Sequence, residues 1–332
     1  MTEPSLDIVA IGNAIVDVIA RSDDAFLASH ALPKGGMQLV DTDTAELLYS
    51  NMGPGIEISG GSAANTLAGM AALGRTCAFI GQVRDDLLGK AFTHDIQSVG
   101  IRFDTVARTQ EPPTARCLIL VTPDGQRTMN TYLGAAQYLP PAAIDHTLIA
   151  SAKILYLEGY LWDPEEPRAA MKGAIASSKE AGREVAFTLS DAFVIERYRD
   201  DFTTLINDGL IDILFANEVE IMSLTQINDF EKAVAAVAPK IPTLVVTRGE
   251  KGAICIKSGE RFEVAAAPVD AVVDTTGAGD LFAAGFLAGH GAGKAPVDCL
   301  SMGAIAAAEI ISHYGARPEA DLKALMADYL KA

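Results

Sequence analysis

The sequence has few basic residues for its length. Only 26 Lys and Arg stand against 43 Asp and Glu in 332 residues, so the formal net charge is −17. Nucleic acid is therefore excluded as a partner, because its phosphates would be repelled by such a surface. The same imbalance means that the phosphates of a bound nucleotide would have to be held by local positive features.

Cysteine and histidine are also scarce, and neither forms a cluster. The four cysteines lie far apart, without a CxxC pair, at Cys77, Cys117, Cys255 and Cys299. They are typical of reduced core thiols in a cytoplasmic protein rather than of a disulfide framework. The five histidines are scattered along the chain, so we expect no zinc site.

Long apolar runs and targeting signals are absent as well. No uninterrupted apolar segment approaches the length of a membrane span, although 49% of the residues are hydrophobic. The N-terminal residues include Glu3 and Asp7 and no basic cluster, so we expect no signal peptide. We therefore expect a cytoplasmic protein with no membrane partner, and its apolar content suits a sizeable core.

Two common nucleotide-binding motifs are missing. A P-loop needs GxxxxGK followed by Ser or Thr, and the glycines of Gly289–Lys294 have the wrong spacing. A dinucleotide fingerprint needs GxGxxG after an early strand. Gly277-Ala278-Gly279 lies near the C-terminus instead, and Phe282 occupies the third glycine position. These absences argue against P-loop proteins and against NAD-dependent oxidoreductases.

Strand and helix patterns alternate along most of the chain. Short apolar runs such as Leu6–Ile11 and Thr243–Thr247 predict buried strands, with helices between them. This alternation favours an α/β fold with a mainly parallel sheet covered on both faces. The exception is a predicted hairpin of Ala115–Val121 and Arg127–Tyr132 around a Pro-Asp-Gly turn. With strands from 14–41, we interpret it as a small sheet that closes over a substrate.

A stretch of small residues precedes an acid near the C-terminal end. In Asp274–Phe286, Gly277, Ala278 and Gly279 stand directly before Asp280, which opens an apolar helical run. Small residues let backbone N–H groups approach a ligand closely, and helix N-termini attract anions, so this stretch predicts a phosphate cradle. Asp280 would then accept the proton of an attacking hydroxyl group. The alternative is that Asp280 merely caps the helix.

Polar residues follow two other predicted strands. Asn13 and Asp17 come just after the first strand, at the end where open α/β sheets bind ligands; alternatively, they stabilise a turn. Asn217 follows a later strand, and Glu220 stands three residues further on. That spacing is typical of a capping box. The same pair would also suit a magnesium-phosphate site in which Glu220 holds the ion through water.

Four segments together resemble the signatures of the ribokinase-like (PfkB) family of sugar and nucleoside kinases. In the family order they are Gly60-Gly61-Ser62-Ala63-Ala64-Asn65, Asn217-Glu218-Val219-Glu220, Thr247-Arg248-Gly249-Glu250-Lys251-Gly252 and Asp274–Phe286. The resemblance covers essentially the whole chain. It implies a single domain over residues 1–332, built as a three-layer α/β/α sandwich with a mainly parallel central sheet. It also implies a small β-sheet lid formed by about 14–41 and 101–134.

The resemblance further implies transfer of the γ-phosphate of ATP to a primary alcohol, with Mg²⁺ as cofactor and K⁺ as a candidate activator. Asp280 would be the base, and the amides of Gly277, Ala278 and Gly279 would form the anion hole. Arg127 resembles a phosphate-contacting arginine; alternatively, it is a solvated charge on the lid. The implied ATP-binding residues are Asn217, Thr247, Gly249, Gly252, Thr276, Gly277 and Gly279. Metal-site residues would be Glu220 for Mg²⁺, and Asp274 and Thr276 for K⁺.

Within the family, the chain most resembles the adenosine kinase branch. The matching residues are Gly12-Asn13 with Asp17, Gln38, Gly134-Ala135-Ala136 and Leu189–Phe193. The resemblance implies a nucleoside substrate, most of all adenosine, with substrate contacts from Asn13, Asp17, Gln38, Gly60, Gly61, Asn65 and Phe193. The alternatives are a ribokinase- or fructokinase-like sugar kinase and a non-catalytic protein that binds nucleotides or sugars. In each case the partners are small molecules, and the protein is expected to be a monomer or a homodimer.

Overall fold

The computed structural model describes residues 4–330. In chain order its strands are β1 (Leu6–Ile11), β2 (Ile15–Arg21), β3 (Met37–Leu39), β4 (Gly55–Gly60), β5 (Cys77–Ile80), β6 (Arg102–Phe103), β7 (Ala115–Val121), β8 (Arg127–Tyr132), β9 (Ala152–Glu158), β10 (Glu184–Thr188), β11 (Ile213–Asn217), β12 (Thr243–Thr247), β13 (Ala253–Lys257) and β14 (Glu260–Val264). Its α-helices are α1 (Asp24–Ser29), α2 (Thr42–Asn51), α3 (Ser62–Ala72), α4 (Leu87–Ser98), α5 (His146–Ala150), α6 (Glu165–Glu180), α7 (Ala192–Asn207), α8 (Glu218–Thr225), α9 (Phe230–Val237), α10 (Ala278–Gly291), α11 (Pro296–Ile310), α12 (Leu322–Leu325) and α13 (Ala327–Leu330).

The main sheet is mostly parallel, as the alternation of strands and helices predicts. Within the described residues it contains nine strands in the order β14-β13-β12-β11-β10-β9-β1-β5-β6. Every pairing from β12 to β6 is parallel, whereas β13 and β14 add an antiparallel edge. Parallel strands need crossover connections, and helices supply most of them here.

Helices cover both faces of the main sheet because its strands are apolar on both faces. On β1, Ile8 and Ala10 pack into one core together with residues of α3, α10 and α11. Val9 and Ile11 point to the other face and pack with residues of α5 to α9. These two cores separate three layers, so the predicted α/β/α sandwich is confirmed.

Parallel register brings several polar residues to one edge of the main sheet. Glu158 at the end of β9 pairs with Thr188 of β10, and Asn217 of β11 pairs with Thr247 of β12. Asn13 follows β1 directly along the same edge. Open α/β sheets bind ligands at the carboxyl ends of their strands. The fold therefore collects candidate ligand-binding groups before any helix contributes to the site.

A second sheet of five strands, in the order β3-β8-β7-β2-β4, stands apart from the main sheet within the described residues. Its β2 lies between β7, which is parallel to it, and β4, which is antiparallel. One face carries Val18, Leu118 and Leu120, which pack with Leu27 of α1 and Leu48 of α2. The other face is left for the cavity described below.

The strands of the second sheet lie in 15–60 and 115–132, which differs in two places from the expected 14–41 and 101–134. β4 joins this sheet and was not expected there. The alternation of Ile56 and Ile58 is short and is flanked by Gly55 and Gly60, so it did not predict a strand. β6 instead pairs with β5 in the main sheet. There the ring of Phe103 contacts those of Phe79 and Phe92 and completes the core.

Two expectations from composition can be compared with the structure. All four cysteines are buried and unpaired, as expected of core thiols. Over residues 4–330, no helix has both the length and the apolar character that crossing a membrane requires.

Candidate active site

A cavity of about 530 Å³ lies between the second sheet and the carboxyl ends of the main-sheet strands. Polar side chains from several elements line one part of it. Apolar side chains of the second sheet and the turn after it line another part; they are Ile15, Met37, Leu39, Cys117, Ile119, Met129 and Leu133. Tyr160 and Phe193 add an aromatic pair whose ring centroids are 6.1 Å apart. The cavity thus offers hydrogen-bonding groups and a large apolar surface to the same ligand.

Asp280 lines this cavity from the first turn of α10. Its carboxylate accepts hydrogen bonds from Ser62 Oγ at 2.6 Å and from Asn65 Nδ2 at 3.1 Å. Burial raises the pKa of Asp280, while these two bonds and the charge of Arg317 oppose the increase. Gly277 is the N-cap residue of α10 and no side chain caps this helix, so the alternative role of Asp280 as a cap does not hold.

The start of α10 has the tight turn that the small residues predict. Gly277 adopts a left-handed conformation with φ of 77°, and Gly277, Ala278 and Gly279 all line the cavity. The amide of Ala278 donates to the carbonyl of Thr275 at 3.2 Å, which closes a tight turn. Within residues 4–330, the amides of Gly277 and Gly279 have no hydrogen-bond partner. Those free N–H groups at a helix N-terminus suit an anion.

Asn13 is buried and is held by an acid that the sequence analysis missed. Glu158 Oε1 accepts from the backbone N–H of Asn13 at 2.7 Å and from its Nδ2 at 2.6 Å, and Glu158 Oε2 accepts from the backbone N–H of Ala63 at 2.8 Å. Glu158 lines the cavity, and burial raises its pKa to about 7 despite these bonds. A signal was available, since Glu158 ends an apolar strand of the same edge, but its buried neighbours made it resemble a core position.

Asp17 lines the cavity from β2 of the second sheet. Burial and the nearby charge of Asp280 raise its pKa to about 6, although Arg317 and Arg127 lower it. Gly60 does not line the cavity but lies directly beneath this carboxylate, where a side chain would collide with it. Gly61 lines the cavity at φ of 97°, with the carbonyl of Asn13 closely packed against it. The glycine turn therefore leaves room for the polar groups of the cavity.

Asn217 and Glu220 form the capping box that their spacing predicts. Asn217 Oδ1 accepts from the backbone N–H of Glu220 at 2.8 Å, and Glu220 Oε2 accepts from the backbone N–H of Asn217 at 3.0 Å. Both residues also line the cavity, so capping does not remove them from the site. Burial and the charge of Asp191 raise the pKa of Glu220 to about 7. Glu220 Oε1 also accepts from Asn217 Nδ2 at 2.6 Å, so both carboxylate oxygens have partners and the pair fits Mg²⁺ held through water rather than by direct contact.

The expected nucleotide segment contributes one residue to the cavity. Thr247 lines it at the end of β12, as do Thr275 and Thr276 before α10. Gly249 and Gly252 do not line it; both have positive φ values in the turn between β12 and β13, where Gly252 packs against the backbone of Val264. Their positions are explained by chain reversal, and an ATP contact there remains a prediction.

Gln38 does not line the cavity, contrary to the expected substrate contact. Alternation along β3 turns Met37 and Leu39 towards the cavity and Gln38 away from it. The amide of Gln38 donates to Asn130 Oδ1 at 2.8 Å instead. Phe193, by contrast, lies in the cavity wall as expected.

Arg127 is neither a solvated lid charge nor a residue of the cavity lining. It is buried, forms an ion pair with Asp274 and lies 3.3 Å from Thr276 Oγ1. Asp274 also accepts from the N–H and hydroxyl of Thr276 and from the N–H of Gly315. Because its oxygens already have these partners, the expected potassium site at Asp274 and Thr276 is not supported.

Sequence comparison identifies the family of the chain. The chain matches the model of the pfkB family carbohydrate kinases over residues 56–322. The chain belongs to the pfkB family of carbohydrate kinases. It is 24% identical to adenosine kinase 2 of Arabidopsis thaliana over 93% of this chain and 94% of that protein. It is 31% identical to fructokinase-2 of Solanum lycopersicum over 70% and 72%, respectively.

Solved structures give the same family relationship at higher identity. A probable sugar kinase from Rhizobium etli CFN 42 superposes with a TM-score of 0.91 and 46% identity, covering 98% of this chain and all of that chain (100%). The adenosine kinase from Sinorhizobium meliloti has a TM-score of 0.90 and 46% identity, with coverage of 97% and 99%. The protein is thus a sugar or nucleoside kinase of the ribokinase-like fold. ATP is the co-substrate that the family implies, typically with Mg²⁺.

Proposed function

We propose that the protein transfers the γ-phosphate of ATP to the 5′-hydroxyl of a nucleoside, adenosine in particular. The observation that carries this proposal is the apolar lining that adjoins Asp280 in one cavity. A purine base would cover the apolar side chains of the second sheet and stack near Phe193. A free sugar would leave them in contact with its hydroxyl groups, which would then lack hydrogen-bond partners.

The polar part of the cavity suits the ribose. Asp17 is an acceptor-only carboxylate when ionised and would accept from two ribose hydroxyls. Within the described part of the chain, Asn65 Oδ1 is buried without a hydrogen-bond partner, so it is available to a substrate hydroxyl. Asn13 is fixed by Glu158 and adds a further contact. These groups lie in the same cavity as Asp280, so a ribose that they bind would have its 5′-hydroxyl within reach of the proposed base.

Asp280 accepts the proton of the 5′-hydroxyl as that oxygen attacks the γ-phosphorus of ATP. Its raised pKa makes it a better proton acceptor than an exposed carboxylate, and its two hydrogen bonds fix its orientation. The free amides of Gly277 and Gly279 stabilise the charge on the transferred phosphoryl group, because their N–H groups are already oriented towards it before the reaction begins. Phosphoryl transfer depends mainly on such positioning and charge stabilisation.

The remaining polar edge suits the nucleotide. Asn217 at the end of β11, Thr247 at the end of β12 and Thr276 before α10 line the cavity. They would bind the phosphates. Glu220 would hold Mg²⁺ through water, and the ion would offset the charge of the phosphates. Closure of the second sheet over the cavity would exclude water from the reaction.

A sugar kinase is the second candidate. The groups that suit a ribose, Asp17 and Asn65, suit a free sugar equally well. The fructokinase of Solanum lycopersicum and the probable sugar kinase of Rhizobium etli CFN 42 are as similar to this chain as the adenosine kinases are. The two candidates differ in what covers the apolar wall of the cavity.

The experiment is coupled ADP release with adenosine, inosine, guanosine, ribose and fructose in the presence of ATP and Mg²⁺. We expect the highest kcat/KM with adenosine; a higher value with ribose or fructose would favour the sugar kinase. The Asp280→Asn variant should bind ATP and lose about 10²- to 10⁴-fold in kcat, the range of a general base. Asp229→Asn is the matched control, because Asp229 caps the distant helix α9. Near-normal kcat in Asp280→Asn would remove Asp280 as the base.

A further inference from the structure

Arg317 lies in the segment after α11 and reaches the glycine turn at Gly60-Gly61, which is remote in sequence. Its Nε donates to the carbonyl of Ser59 at 3.0 Å, and its Nη1 donates to the carbonyl of Ala64 at 2.8 Å. Nη2 also donates to Ser59 Oγ at 2.7 Å. The carboxylate of Asp95 holds the N–H of Ser59 from α4 at 2.8 Å. The guanidinium of Arg317 therefore forms hydrogen bonds with the chain on both sides of the turn.

The same turn orients the proposed base. Ser62 and Asn65, which directly follow it, donate the two hydrogen bonds that hold the Asp280 carboxylate. Gly60 lies beneath the carboxylate of Asp17. A shift of the turn would therefore move Ser62 and Asn65, which donate to Asp280. It would also move Gly60, which packs against the carboxylate of Asp17. Arg317 does not line the cavity, so any effect on the reaction must pass through these residues.

The charge of Arg317 acts on the same two acids. It lowers the pKa of Asp17 and of Asp280, against the effect of burial. Among residues 4–330, the other ionisable groups that interact with Asp280 are acidic. They are Asp17 on β2, Tyr156 and Glu158 on β9, and Tyr160 just after β9. Arg317 is the cation that offsets them at Asp280. Burial lowers the pKa of Arg317 itself, but an arginine stays charged in proteins.

We propose that Arg317 is a positioning residue for phosphoryl transfer. It fixes the glycine turn that orients Asp280, and its charge favours the carboxylate forms of Asp280 and Asp17. This inference rests on the proposed role of Asp280 as the base. It assigns a part in the reaction to the C-terminal segment, which lies outside all four signature segments.

The test separates charge from hydrogen bonding through the pH profile of kcat/KM for adenosine. Arg317→Met and Arg317→Gln remove the charge, and the glutamine retains two donors for the carbonyls of Ser59 and Ala64. In both variants we expect the acid limb to move to higher pH by about one unit, the typical effect of losing a close opposite charge. Arg317→Lys keeps the charge and loses the fork of donors. We expect it to keep the acid limb and lose about tenfold in kcat/KM, because one or two hydrogen bonds to the turn are lost.

Arg199→Met is the matched control, since Arg199 also donates to a backbone carbonyl, that of Ser223, but lies outside the cavity lining. It should leave the acid limb where it is. An unmoved limb in the neutral Arg317 variants would overturn the proposal, as would an equal displacement in Arg317→Lys. Failure of both neutral variants to fold would make Arg317 a determinant of the fold and overturn it as well. If Asp280→Asn keeps its turnover, the proposed base is wrong independently of these results.

Discussion

The Glu158→Gln variant tests whether burial or hydrogen bonding determines the pKa of a buried acid in this site. Glu158 is fully buried, and its two oxygens accept three N–H donors from Asn13 and Ala63. Burial favours the neutral carboxyl group, whereas the three donors favour the carboxylate. The structure indicates that burial prevails, with a pKa raised from 4.5 to about 7. Because the folded protein then holds this proton more tightly than the unfolded chain, Glu158 stabilises the fold at low pH, and that contribution is lost as pH rises from about 4.5 to about 7.

The magnitude follows from the size of the shift. A rise of about 2.5 pKa units, at about 1.4 kcal/mol per unit, corresponds to a loss of about 3–4 kcal/mol in the free energy of unfolding across that range. Glutamine cannot ionise, so the variant lacks this loss. Its amide nitrogen, however, would face the N–H of Ala63, which costs about 1–3 kcal/mol at every pH. We therefore expect the variant to be the less stable protein at about pH 5 and to approach or exceed the wild type at about pH 8.

The assay is equilibrium unfolding in urea of both ligand-free proteins at several pH values between those limits. Asp17 and Glu220 also have raised pKa values, about 6 and about 7, but they are present in both proteins and cancel in the difference. The measured quantity is the difference in unfolding free energy between wild type and variant. If that difference stays constant with pH, the donors from Asn13 and Ala63 outweigh burial, and the reasoning for Glu158 is refuted.

Two further predictions concern the glycine turn and the cation requirement. Gly61→Ala should cost about 1–3 kcal/mol in unfolding free energy and weaken adenosine binding, because Gly61 has φ of 97° and a Cβ would collide with the carbonyl of Asn13. Gly100→Ala, at φ of 85° with open space around it, should cost only about 1–2 kcal/mol and leave binding intact; equal binding losses would contradict the argument. Replacing K⁺ by tetramethylammonium at constant ionic strength should leave wild-type turnover unchanged, because Arg127 already pairs with Asp274. Several-fold activation by K⁺ would show that the ion displaces Arg127 from Asp274, which would contradict the argument.

The parts of the site that sequence predicted best are those determined by the local backbone. Small residues before Asp280 required a close turn at a helix start, and the structure has that turn with Asp280 in the cavity wall. The spacing of Asn217 and Glu220 required a capping box, and it is present. Fold class and family were also predictable, because periodic apolar segments and short motifs are local features of the sequence.

The parts that sequence missed depend on contacts between distant segments. The register of the three-residue strand β3 decides that Met37, not Gln38, faces the cavity, and so short a strand carries too little pattern to predict this. Arg317 acquires its role only when the C-terminal segment packs against Ser59. Arg127 forms an ion pair with Asp274 instead of the expected phosphate contact, and this pair links the second sheet to the loop before α10. None of these pairings leaves a local signature.

The charge balance of the cavity limits how ATP can enter it. Among the described residues, the lining contains six acids and one arginine; the acids are Asp17, Glu158, Asp163, Asp191, Glu220 and Asp280, and the arginine is Arg197. That arginine is already engaged, with an ion pair to Asp163 of 3.0 Å and its guanidinium 5.2 Å from the ring centre of Phe193. With ATP bound as proposed, the phosphates would depend on the uncharged donors of the α10 N-terminus, and the nucleotide's own counter-ion would have to offset the repulsion from Glu220 and Asp191. A chain with net charge −17 can in this way bind a polyanion without a basic patch, provided that the polyanion arrives together with its metal.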